Sequence, residues 1–245
     1  MSARSCGRVL SFGGGVQTTA LLLREPEAYQ HVVFADVGGE EAATYQYIDE
    51  YVKPFCIERG IIFAAVKRPG DTLEQDCERR GVLPMITNRW CTNEFKITPI
   101  RRYLRDVVGA TPKRPVIMDI GFSIDEARRM ANASQVRYIY KNYPLVWDHV
   151  SRTGCEDIIK RHGWPAAPKS ACDFCMFRGP KYFKKMAYEN PKRFQEIMEL
   201  EESTWRVKHF TLLPGISLRE LRDKNAGNLD AFATEGTCME DVCGV

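Results

Sequence analysis

A glycine-rich stretch, Ser11-Phe12-Gly13-Gly14-Gly15-Val16-Gln17-Thr18-Thr19, joins a short apolar run at Val9 to Phe12 to a second one from Thr18 to Leu23. A turn of this composition between a strand and a helix lets backbone N–H groups close on phosphate oxygens. It also points the positive end of the helix at the anion. Three successive glycines equally suit a plain tight turn. No lysine precedes Thr18, and the glycines lack the spacing of dinucleotide folds, so neither a Walker loop nor a Rossmann fingerprint is present.

The second chemical feature is Cys172-Asp173-Phe174-Cys175. Two cysteines at this spacing can hold one metal ion or cluster from a single turn. A thioredoxin-like redox pair has the same spacing but belongs at a helix start after a strand, whereas here Pro168 lies upstream and Gly179-Pro180 downstream. Cys91 and Cys155 bring the available thiolates to four, and with four histidines in the chain an all-cysteine site is favoured over a mixed one. Zinc and a [4Fe–4S] cluster both accept four cysteines, so spacing does not separate them. Cys6, Cys56 and Cys77 are read as packed thiols, a common role of free cysteine.

The glycine loop resembles that of the PP-loop ATP pyrophosphatases, the adenine nucleotide alpha hydrolases, and within them the branch that includes phosphoadenylylsulfate reductases. The family loop reads Ser-Gly-Gly-x-Asp-Ser; Gly13-Gly14-Gly15-Val16-Gln17-Thr18 follows it with Gly13 in place of the serine and Gln17 in place of the aspartate. Further similarities follow in order: Asp36-Val37-Gly38-Gly39-Glu40 with Thr44, then Arg89-Trp90-Cys91-Thr92 with Lys96, then Gly121 through Arg129 with Glu126. The resemblance covers about residues 8 to 180. It implies that Ser11 to Thr19 hold the phosphates of ATP with Mg2+, and that Asp36 and Gly121 lie near the adenosine. Arg89, Lys96, Arg128 and Arg129 become contacts to phosphate or sulfate. It also favours iron and sulfur over zinc at Cys91, Cys155, Cys172 and Cys175. Sulfonucleotide reductases end in a mobile tail with a Glu-Cys-Gly motif; here Cys243-Gly244 follows Val242, which makes Cys243 a candidate nucleophile or persulfide carrier and, equally, part of an ordinary frayed end.

These residues need a scaffold. Val9 to Phe12 reads as a strand, His31 to Ala35 as a second, Tyr45 to Arg59 as a helix, and Ile61 to Val66 as a third strand. Ile97 to Val108 follows as a helix, Pro115 to Ile120 as a strand, and a further helix begins near Asp125. Such alternation predicts an α/β, doubly wound, mainly parallel sheet in a nucleotide-binding domain over residues 1–142. From Tyr143 to 213 the pattern is helical and cysteine-bearing. Thr153 with Glu156 is read as a capping box for a helix to His162, ended by Gly163, and two further helices are expected at Lys181 to Tyr188 and Pro191 to about Lys208. Residues 214–245 are expected to form a mobile tail.

The chain has 245 residues, 44% of them hydrophobic and 27% charged, an ordinary globular composition. No apolar run reaches the roughly 18 residues that cross a bilayer, and Met1 to Leu10 lacks a secretory apolar stretch, so a cytoplasmic protein without a membrane partner is expected. Nine cysteines in a reducing compartment are poor disulfide candidates. Net charge is only +3, but basic residues thicken between Arg79 and Arg193, which suits a phosphate-bearing ligand or nucleic acid as well as a solvated mixed surface. The leading expectation is an ATP-dependent sulfurtransferase that adenylates a nucleobase or nucleic acid and takes sulfur from a cysteine desulfurase or another donor. A sulfonucleotide reductase using Cys243 and a non-catalytic nucleotide- or nucleic-acid-binding subunit are its rivals. The oligomeric state is left open.

Overall fold

The computed structural model of the protein describes residues 7–132, 136–206 and 209–225. These form two compact units: residues 7–68 with 94–171, and residues 69–93 with 172–225. No described helix is long and apolar enough to cross a membrane.

The first unit is built on five parallel strands, β1 (Arg8–Phe12), β2 (His31–Ala35), β3 (Ile62–Val66), β4 (Val116–Ile120) and β5 (Ile139–Asn142), in the order β3-β2-β1-β4-β5. Central β1 pairs with β2 through Val9↔His31 to Phe12↔Phe34, and with β4 through Arg8↔Ile117 to Ser11↔Ile120. Alternate residues face opposite ways along a strand. Leu10, Phe12, Val32 and Phe34 accordingly join α1 (Val16–Arg24) and α7 (Arg152–Arg161) in one apolar cluster, whereas Val9, Val33, Ala35, Val116 and Met118 join Ile100 and Leu104 of α5 (Thr98–Asp106) in another. Burial on both faces is what turns these strands into near-continuous apolar runs. The doubly wound parallel sheet expected from the sequence is present.

Several elements differ in detail. The helix expected at Tyr45 begins earlier: α2 (Ala42–Tyr47) runs through a π-helical turn at Ile48–Val52 into α3 (Lys53–Glu58). The segment from Ile124 to Asn132 is 3₁₀-helical rather than α-helical. Helix α7 is capped by Ser151, whose hydroxyl accepts from Gly154 N, not by Thr153; the cap lies two residues upstream because the helix starts at Arg152. β5 adds a strand that ends at Asn142, and the short α6 (Pro144–Trp147) follows it.

The second unit contains α4 (Leu73–Arg80), α8 (Pro180–Glu189), α9 (Pro191–Ser203) and α10 (Leu218–Asn225). Helix α9 ends at Ser203 and is followed by a 3₁₀ turn at Thr204–Arg206. Residues 214–225, expected in the tail, include α10. The buried Glu201 carboxylate accepts from Leu212 N at 2.7 Å and Leu218 N at 2.8 Å, which ties this segment to α9. Residues 226–245, with Cys238 and Cys243, lie outside the described residues.

A buried carboxylate also locks the sheet. Asp119 on β4 accepts from Arg8 Nε at 2.8 Å, Tyr29 OH at 2.8 Å and Asn142 Nδ2 at 2.8 Å, joining β1, β4 and β5. Removing it would leave the Tyr29 hydroxyl, almost fully buried, without its acceptor and the Arg8 guanidinium with only Glu25. We predict that Asp119→Ala lowers unfolding stability by roughly 3 kcal/mol, read as a lower urea midpoint, as expected when one partner of a buried charged network is deleted.

Candidate functional site

At the carboxyl end of β1 the chain turns through Gly13, Gly14 and Gly15 into α1. Gly14 has φ +82°, the left-handed region, and a Cβ there would stand 2.7 Å from Thr44 Cγ2, so both backbone and space demand glycine. Gly15 is the N-cap of α1. No side chain caps this end and the first turn carries no acidic residue. The N–H groups of a first helical turn have no intrahelical acceptor, and the helix dipole adds positive potential there. A bare, uncapped helix start of this kind accommodates an anion.

The hydroxyls of the loop shape it. Thr18 Oγ1 accepts from Gly13 N and donates to Gly15 O, both at 3.2 Å, and Thr19 Oγ1 donates to Gly15 O at 2.9 Å. Ser11 is a β1 residue in register with Val33 and Ile120, upstream of the turn. Phe12 is core, edge-on to Phe63 at 6.3 Å between centroids, so its contribution to a ligand site is confined to its backbone.

Strand β4 ends at the same place. A Cβ on Gly121 would meet Thr18 Cγ2 at 2.6 Å and Thr18 N at 3.0 Å, so the β4 loop lies directly against the first turn of α1. Beyond it, Gln17 Nε2 donates to Glu126 Oε2 at 3.1 Å, and Arg129 pairs with Glu126 Oε1 at 2.5 Å while its guanidinium lies 4.2 Å from the Phe122 ring centroid. The loop, Gln17, Gly121, Glu126 and Arg129 are therefore brought together as expected, while Arg128 is exposed. β1 and β4 are also the strands at which the order of the sheet reverses, the topological switch point where open α/β sheets take their ligands.

Strand β2 supplies the third side. Asp36 Oδ1 accepts from Tyr45 OH at 2.6 Å and Gly38 N at 2.8 Å, and Oδ2 pairs with Lys67 at 2.9 Å. Burial alone would raise its pKa; the hydrogen bonds from Tyr45, Lys67 and Gly38 more than offset this, and the carboxyl sits below the ordinary 3.8. Asp36 thus fixes the turn after β2. Glu40, fully buried at its side chain, pairs with Lys96 Nζ at 2.9 Å.

Segment Pro168–Ser170 arrives from far along the chain. Ser170 Oγ donates to Gly13 O and lies 3.5 Å from Glu40 Oε2, and Glu41 N donates to Ala171 O at 3.4 Å. Ser170 and Glu40 were not among the residues expected to form the site. Glu40 belongs to the segment that carries the resemblance; no local signal marks a serine 157 residues away from the loop it touches.

Arg89 and three of the four candidate metal cysteines lie in the second unit. Arg89 stacks over Phe177 at 5.0 Å, its NH2 reaches Thr92 Oγ1 at 3.4 Å, and its Nε is buried without a hydrogen-bond partner. Cys172 to Cys175 form a turn closed by Cys175 N donating to Cys172 O at 3.2 Å. Asp173, inside the turn, is gripped by Arg193, which also makes a two-pronged pair with Glu74 of α4. Cys155 lies in the apolar cluster beside α1, where burial pushes its thiol up to about 12. Among the described residues no group of three or more His, Cys, Asp or Glu side chains is gathered to hold a metal ion.

In comparison with known proteins, the chain matches no family model and no curated protein.

Because the folded pKa of Asp36 is depressed, its contribution to stability is present above about pH 4 and is lost as pH falls through the folded value. We predict that Asp36→Asn flattens the acid limb of the plot of urea midpoint against pH below that point, relative to the unsubstituted protein. An unchanged acid limb would show that the carboxylate does not anchor the turn.

Proposed function

We propose that the protein binds ATP with its phosphates on the N–H groups of Gly13 to Thr18 and uses it to adenylate an acceptor. The observation that carries this reading is the uncapped start of α1 behind a glycine turn, set at the switch point between β1 and β4 and crossed by Gly121. Two cations are linked to the loop through side chains: Arg129, reached from Gln17 by way of Glu126, and Lys96, reached from Gly13 by way of Ser170 and Glu40. The resemblance of the loop and of the Asp36 and Gly121 segments to PP-loop ATP pyrophosphatases supports the same reading.

In the proposed reaction an acceptor oxygen attacks the α-phosphorus of ATP. The bond from that phosphorus to the bridging oxygen breaks, and pyrophosphate leaves with the electron pair. The N–H groups of the loop and the start of α1 stabilise the charge that develops on the departing group. A persulfide R–S–S⁻ delivered by a desulfurase-type donor then attacks the adenylated carbon and expels AMP, leaving a C–S–S–R adduct, and a second thiol, R′–SH, attacks the R-bearing sulfur, so that the S–S bond breaks, the sulfur stays on the base and the donor leaves as the disulfide R–S–S–R′. The acceptor class proposed is a nucleobase carbonyl of a nucleic acid, supported by the basic residues between Arg79 and Arg193.

Gly15 offers a test that separates binding from folding. Its extended backbone, φ −109° and ψ −177°, suits any residue, and a Cβ there makes only ordinary contacts, the closest 3.5 Å from Ser170 Cβ. An aspartate at this position caps the helix but fills the anion site with negative charge. We predict that Gly15→Asp keeps or slightly raises thermal stability while weakening ATP binding about tenfold or more by calorimetry, and that α-labelled ATP incubated with the unsubstituted protein and an acceptor yields AMP rather than ADP. ATP binding undiminished in Gly15→Asp, or ADP as the product, would refute the proposal.

A further inference from the structure

Cys77, Cys91, Cys172 and Cys175 all belong to the second unit, whereas Cys155 lies in the apolar cluster of the first. The four stand on three segments: helix α4, residues 89–91 and the turn at residues 172–175. Each pair of segments is joined by a side-chain contact next to a cysteine. Arg193 grips both Asp173 of the turn and Glu74 of α4. The Arg80 guanidinium of α4 lies 4.5 Å from the ring centroid of Trp90, the residue before Cys91. Arg89, two residues before Cys91, stacks at 5.0 Å over Phe177, two residues after Cys175. Residues three apart share a side of a helix, so Cys77 lies between Glu74 and Arg80, where one contact leads to the turn and the other to Cys91. The Cys77 thiol is close enough to Cys91 to feel its charge. Packing alone holds α4 weakly: of its eight residues, Leu73 and Cys77 are the buried apolar ones, and the third buried side chain is Asp76. A structural metal supplies such a segment with folding free energy.

We infer that Cys77, Cys91, Cys172 and Cys175 are the four ligands of one thiophilic metal centre in the second unit, a zinc ion or a [4Fe–4S] cluster, with Cys77 rather than Cys155 as the fourth thiolate. The inference is independent of the nucleotide site. Both centres take four cysteine thiolates at the corners of a tetrahedron, and each thiol gives up its proton as it binds. As they stand, the thiols are not gathered round one point. Rotation about Cα–Cβ moves a cysteine sulfur by about 3 Å between staggered positions, so closing the shell asks for side-chain rotation rather than a new arrangement of the three segments. Arg80 and Arg89 stand in the contacts between those segments, where their charge offsets that of the thiolates.

The test uses the full chain prepared anaerobically, unsubstituted and as Cys77→Ser and Cys155→Ser, with zinc and iron per chain measured by elemental mass spectrometry and folding followed by circular dichroism. Expected in the unsubstituted protein and in Cys155→Ser is about one zinc, or about four iron with a broad visible absorption, and in Cys77→Ser a metal content at least about tenfold lower after dialysis. Should Cys77→Ser fail to fold, alkylation of the unsubstituted protein decides: stripping the metal with a chelator is expected to make Cys77 reactive together with Cys91, Cys172 and Cys175, as read on the cleaved peptides, while Cys155 stays protected. Neither zinc nor iron in the unsubstituted protein, full metal in Cys77→Ser, loss of metal in Cys155→Ser, or no gain in Cys77 reactivity on stripping overturns the inference.

Discussion

A Cβ at Gly121 would stand 2.6 Å from Thr18 Cγ2, and one at Gly14 2.7 Å from Thr44 Cγ2; the loops after β1, β2 and β4 meet only because both positions lack a side chain. The rest of the first unit follows from that close approach. It sets the start of α1 at the carboxyl end of the central strand, keeps this helix end without a side-chain cap, and lets Gln17 reach Glu126 and Ser170 reach Gly13. Contact distances of this kind cannot be relieved by rotating a flexible side chain, since the neighbours include backbone nitrogen and a β-branched residue whose rotamer is stiff.

The sheet beneath supplies the rigidity. Apolar residues alternate between the α1–α7 face and the α5 face, and Asp119 ties β1, β4 and β5 together through Arg8, Tyr29 and Asn142. A loop set on strands buried on both faces is held more precisely than one carried by loops alone. In the second unit the corresponding anchor is Arg193, whose guanidinium joins the Cys172–Cys175 turn, through Asp173, to Glu74 on α4. That clamp ties the turn to α4 through side chains. It explains why Asp173 stands between the two cysteines, whatever chemistry the thiols perform.

Four of the five strands were legible because their apolar runs are bounded by turn residues, and the glycine loop because three adjacent glycines between a strand and a helix have few uses. Helix α4 escaped, although its signals are present: Thr72 and Gln75 form a reciprocal capping box and Gly81 ends the helix in the left-handed region. The obstacle was its sequence, Leu-Glu-Gln-Asp-Cys-Glu-Arg-Arg, in which Asp76 takes a buried position usually filled by an apolar residue and is neutralised by Arg79 and Arg80. β5 was missed because Ile139–Asn142 is a four-residue strand with one buried apolar side chain. Cys155 illustrates the limit of spacing arguments: as a residue type it counted as a ligand, and only packing shows it among the leucines of α1. Ser170 could not be found from sequence at all, since its place depends on a contact between distant segments.

In the proposed nucleotide complex an anion sits on the N–H groups at the start of α1. Backbone amide resonances of 15N-labelled protein titrated with ATP test it most directly, because a phosphate accepting from an N–H shifts that amide more than any other. The account predicts saturable shifts concentrated at Gly14, Gly15, Val16, Gln17 and Thr18, with smaller ones at Gly121 and Thr44. Shifts absent from these residues at saturating ATP, or concentrated instead on α8 to α10, would contradict it.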